Sequence, residues 1–107
     1  MRLLHVLEPS PLMETRSIQA VAVAEERLRA QVPADATVRG IQTEVSVIEE
    51  SDVAKAIRQE AERFGAHLVC IGSHGRSGLA KAVLGSVAQS LMVQSPRPML
   101  VVRKQVL

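Results

Sequence analysis

"LVCIGSHGRSGLAKAVLGSVAQSL", residues 68–91, opens as an apolar run, turns glycine-rich at Gly72 and resumes as a helix-forming segment. Four of the chain's six glycines, Gly72, Gly75, Gly78 and Gly85, fall within it. Glycine is costly to order and gives a core no side chain, so this clustering means that the backbone itself is put to use. The pattern is strand, loop, helix. In a parallel α/β sheet the carboxyl ends of the strands face a crevice where ligands bind. A helix N-terminus offers unpaired N–H groups and a partial positive charge, which suit phosphate. Gly72 and Gly75 let the chain turn off the strand and bring amides close to a ligand. Gly85 and Ser86 open the helix, with Ser86 expected as N-cap and its hydroxyl within reach of phosphate. There is no Gly-Lys-Ser/Thr of a Walker loop, and the spacing is not that of a dinucleotide fingerprint. On spacing alone, a plain turn and helix start compete with a phosphate loop on equal terms.

Working outward, the rest of the chain alternates between two periodicities. "RLLHVLE" (2–8) is a short apolar run closed by Pro9 and Pro11, as in a buried strand. From Glu14 to Gln31 the spacing is helical, with Ile18, Val21, Ala24 and Leu28 on one face and Pro33 ending the helix. "TVRGIQTEVSVIE" (37–49) is rich in β-branched residues and reads as a second strand. Ser51 is expected to cap a helix with Val53, Ile57, Ala61 and Phe64 on its inner face and Gly65 as its stop. "HLVCIG" (67–72) is apolar enough for a strand covered on both faces. A helix then runs to about Gln94, and "PMLVVRK" (98–104) is the last strand. The order β-α-β-α-β-α-β predicts a doubly wound, Rossmann-like α/β sheet with right-handed crossovers, in a single domain over 1–107.

Composition narrows the function. With 47% hydrophobic and 22% charged residues the chain is a globular protein rather than a disordered one. The net charge is only +2 and the thirteen Lys and Arg are dispersed, which argues against a nucleic-acid surface. One Phe and no Trp or Tyr leave little for base stacking or membrane-interface anchoring. No stretch approaches a membrane span, and "MRLLHVLEP" does not read as a signal peptide, so a cytoplasmic location is expected. Cys70, the single cysteine, excludes an internal disulfide and is expected as a small buried hydrophobe. His74 lies in the loop, but no second metal ligand or serine–acid pair has a convincing spacing to it. His5 and His67 read as packed or strand-end residues. Arg76 and Lys81 follow the glycines and would neutralise phosphate or serve as ordinary solvated charges. Leu91 and Met92 read as core.

The order Gly72, two residues, Gly75, nine residues, Gly85-Ser86 resembles the nucleotide-binding signature of the universal stress protein family. The surrounding text is similar too. "LVCIGSHGRSGL" resembles the family's fourth strand and loop, "VLGSVAQSLM" its last helix, "SPRPMLVVR" its final strand, and "LLHVLEP" its second strand. The resemblance implies a five-stranded parallel sheet of order 3-2-1-4-5 and, in the ATP-binding branch, a bound ATP or AMP, with or without Mg2+. Carried over by position, Gly72, Gly75, Gly85, Ser86 and Val87 would contact phosphates and ribose, and Ile71 and Val6 would lie near the adenine. Arg76 joins the set as a phosphate neighbour. A regulatory binding module of the stress response is implied, not an enzyme, and any ATP hydrolysis would be slow and incidental.

One departure sets an alternative. In the family a first strand, carrying an aspartate near the adenine, and a helix precede "LLHVLEP". A chain without them would hold four strands, and its second and fourth family strands would lose a shared neighbour. A truncated family member is the expectation; a second chain filling the gap, or a sheet closed as 3-2-4-5, are the other routes. The functional alternative is a dimeric interaction protein of the same fold that no longer binds nucleotide. In either case Met99, Leu100, Val101 and Val102 form an edge strand that is expected to pair with its copy in a homodimer.

Overall fold

The computed structural model describes residues 1–9, 14–72 and 85–102, with side chains in the first helix from Ile18 onward. Its elements follow the expected alternation: β1 (Arg2–Leu7), α1 (Glu14–Ala30), β2 (Glu44–Glu49), α2 (Val53–Phe64), β3 (Val69–Gly72), α3 (Ser86–Gln94) and β4 (Met99–Val102). The strands pair in parallel as two two-stranded sheets, β1 with β2 and β3 with β4, rather than as one sheet of order 3-2-4-5. Parallel neighbours need a crossover between them, and α1 and α3 serve as those crossovers. No helix among the described residues is long and apolar enough to cross a membrane.

The chain divides into two compact units, Met1–Ala56 and Ile57–Leu107. In the first, α1 packs on both β1 and β2. Val21 and Leu28 are half-buried and Ala24 is buried, as the helical spacing requires. Ile18 departs from that face and is 75% exposed. The helix closes with i→i−3 bonds, Gln31 N–H to Leu28 C=O (3.1 Å) and Val32 N–H to Arg29 C=O (3.2 Å), which tighten the last turn ahead of Pro33. An ion pair of 2.7 Å between Arg2 and Glu44 sits at the amino end of the β1–β2 ladder.

The expected strand over 37–49 is shorter, because its first half is a turn. Ala36 N–H bonds Pro33 C=O, Gly40 N–H bonds Thr37 C=O and Ile41 N–H bonds Ala36 C=O (3.0, 3.0 and 2.9 Å). Gly40 has φ 78, a left-handed conformation that side-chain-bearing residues rarely adopt. Val38 is consequently turned out, 88% exposed, so its β-branching misleads about strand structure.

Helix α2 begins one residue later than expected. Asp52, not Ser51, is the cap: its Oδ1 accepts the Lys55 N–H at 3.1 Å, and its carbonyl accepts the Ala56 N–H at 3.0 Å. At the other end Gly65, at φ 69, stops the helix as expected. The Ala66 N–H reaches Ala61 C=O (2.9 Å) and the Gly65 N–H reaches Glu62 C=O (3.1 Å), the paired closing bonds of a Schellman turn. Buried positions of α2 are Ala54, Ala56 and Glu60, whereas Phe64, expected inside, is exposed. Glu60 is joined to Arg63 across one helical turn at 3.5 Å.

In the second unit Leu91 (1% exposed) and Ala88 are the deepest apolar residues of α3. Met92, expected as core, points out and is 55% exposed. Strand β3 was expected to be covered on both faces. Instead β3 and β4 alternate, with Val69, Ile71, Met99 and Val101 half-buried and Cys70, Gly72, Leu100 and Val102 exposed. Cys70 is therefore a solvent-facing thiol rather than a buried hydrophobe. Arg97 donates from Nε to the Ala66 carbonyl at 2.9 Å, tying the approach to β4 to the approach to β3.

Candidate functional site

The described members of the expected ligand set in the second unit lie at the carboxyl end of β3 and at the start of α3. Strand β3 delivers Ile71 and Gly72 at its carboxyl end, where Ile71 is paired with Val101 and Gly72 with Val102. Ile71 is half-buried, and Gly72, the last described residue of the strand, is exposed. Helix α3 begins with Gly85, buried and extended at φ −60 and ψ 154. That conformation is open to any residue, so backbone geometry does not by itself require glycine at 85.

The start of α3 carries no side-chain cap. Gly85 C=O accepts the first intrahelical bond, from Gln89 N–H at 3.0 Å. The amides of Ser86, Val87 and Ala88 come before that bond and have no partner within the helix. Ser86 is thus the first helical residue and not the expected N-cap. Its exposed hydroxyl takes no part in capping, because the capping position belongs to a residue without a side chain. Val87 is half-buried. What this end offers is a set of neutral donors, amides and a hydroxyl, at the positive end of a helix dipole, a donor set that fits an anion. Reading the sequence by side chains passes over Ala88, whose contribution is only its N–H; placing the helix start at Gly85 would have found it.

Val6 is the next-to-last residue of β1, half-buried and paired with Ile48, and belongs to the first unit. Gly75 and Arg76, together with His74, Gly78 and Lys81, lie outside the described residues. No group of three or more His, Cys, Asp or Glu among the described residues is arranged to hold a metal ion. Glu44, whose titration is displaced, is at the opposite, amino end of its ladder. Its hydrogen bond from Arg2, reinforced by the charge of Arg2, holds the carboxyl below the usual carboxylate range.

Comparison with known proteins agrees with this arrangement. Residues 1–103 match the model of the universal stress protein family. The chain is 31% identical over 99 residues to stress response protein NhaX of Bacillus subtilis, across 92% of this chain and 54% of that protein. It is 38% identical over 45 residues to universal stress protein MJ0577 of Methanocaldococcus jannaschii, across 42% of this chain and 28% of that protein. The chain thus spans about half the length of NhaX, and its match to MJ0577 covers less. Among solved structures, hypothetical protein PH0823 superposes with a TM-score of 0.78 at 17% identity, over 98% of this chain and 75% of that one, a likeness of fold. The structure of MJ0577 superposes with a TM-score of 0.64 at 25% identity, over 99% and 76% of the two chains. Parallel strands crossed by helices and a match that runs almost from end to end lead to one conclusion: this chain belongs to the universal stress protein family.

Proposed function

We propose that this protein is a nucleotide-binding regulatory module of the stress response, taking ATP or AMP at the carboxyl end of β3 and the start of α3. The observation that carries this reading is the start of α3: a glycine N-cap leaves three amides and the Ser86 hydroxyl uncommitted within the helix. In this reading the amides of Ser86, Val87 and Ala88 bind phosphate, Ser86 adds a hydroxyl, and Gly72 and Gly75 let the backbone approach. Arg76 supplies charge, and Ile71 provides apolar contact for adenine. Any Mg2+ would arrive with the nucleotide and be held by its phosphates. The role is binding in the cytoplasm, without turnover of consequence.

Native mass spectrometry of the purified protein tests the reading. A co-purifying adenine nucleotide, or saturable ATP binding by calorimetry, is the expected result. Absence of both would overturn it.

A second reading, an interaction protein that binds no nucleotide, is favoured by the two-sheet arrangement. By the alternation of a parallel ladder, Leu3, His5 and Leu7 turn their backbone groups to β2, while Leu4 and Val6 turn theirs to the other edge. Cys70 does the same on β3. The family order expected from the sequence assigns a strand bearing an adenine-side aspartate to these edges, and in this second reading the edges serve a protein partner instead.

Both readings include a homodimer through β4. The Val69 N–H to Pro98 C=O bond (3.0 Å) sets the ladder, so Leu100 faces β3 while Met99 and Val101 turn their N–H and C=O to the opposite edge, unpaired among the described strands. Val101→Pro would remove an edge donor and leave the β3–β4 ladder intact, and it is expected to convert dimer to monomer in sedimentation. A wild-type monomer at micromolar concentration would rule the interface out.

A further inference from the structure

We draw no further inference here: the strongest candidate, the outward apolar face of the β3–β4 sheet formed by Leu68, Cys70, Leu100 and Val102, is exposed, and nothing in the structure shows what covers it.

Discussion

Helices α2 and α3 begin in opposite ways. At the start of α2, Asp52 folds its carboxylate back onto the Lys55 amide, and the Asp52 N–H in turn lies 3.4 Å from Glu50 Oε1. That end is satisfied by the chain's own acids. At the start of α3 the capping position is held by Gly85, and among the described residues no side chain caps the helix. The same helix-end electrostatics serve stability in one case and, in the proposed function, serve a ligand in the other. A helix end that supplies its own anion has no need of one from solution.

The largest effect is expected from giving α3 what α2 has. Gly85→Asp would put a carboxylate at the bare amides, competing with phosphate by hydrogen bond and by charge. ATP affinity in calorimetry should fall about 100-fold or more. Because Gly85 is buried, circular dichroism should accompany the measurement, and Gly85→Ser serves as a neutral cap in the same position. Undiminished affinity in a folded Gly85→Asp protein would remove α3 from the phosphate site.

Ser86→Ala comes next. A hydrogen bond to a charged group is worth roughly 1.5–3 kcal/mol, so ATP binding should weaken about tenfold or more with little change in melting temperature. If the hydroxyl were capping the helix after all, stability would fall and affinity would not.

The reciprocal change, Asp52→Ala, should cost about 1 kcal/mol in urea unfolding and leave nucleotide affinity untouched. A loss of affinity would mean that the two helix ends are not independent.

The smallest effect concerns Glu44, another acid satisfied within the chain. Its folded-state carboxyl is depressed by the Arg2 hydrogen bond, so the pair's contribution is present above the carboxyl's unfolded pKa. That contribution is lost as pH falls through the lower, folded value. Both groups are partly or largely in water, so the acid-side loss of stability should be slight, and Glu44→Gln should abolish it. Wild type and variant with the same acid limb would show that Arg2 does not hold Glu44 in solution.

Much of this was legible without coordinates. The alternation of strand and helix patterns, the Gly65 stop and the β1–β2 and β3–β4 pairs contained in the family order survive in the structure. What misled were residues whose local preference was overruled. Thr37, Val38 and Ile41 favour strand by branching, but Gly40 closes a turn there, and a backbone bond network outweighs propensity. Ser51 and Ser86 are good capping residues, each displaced by the neighbour that occupies the position from which an N-cap side chain would reach the third amide.

The sequence by itself determined the element order, the glycine-rich segment and the family, because periodicity and glycine spacing are written residue by residue. Tertiary structure decided which side of each element faces inward. Cys70, Leu100 and Val102 are as apolar as Val69, Ile71 and Val101, yet the first three are exposed and the others half-buried. A strand presents alternate residues to opposite faces, and whether a face is covered depends on what packs against it, which no single strand's sequence contains.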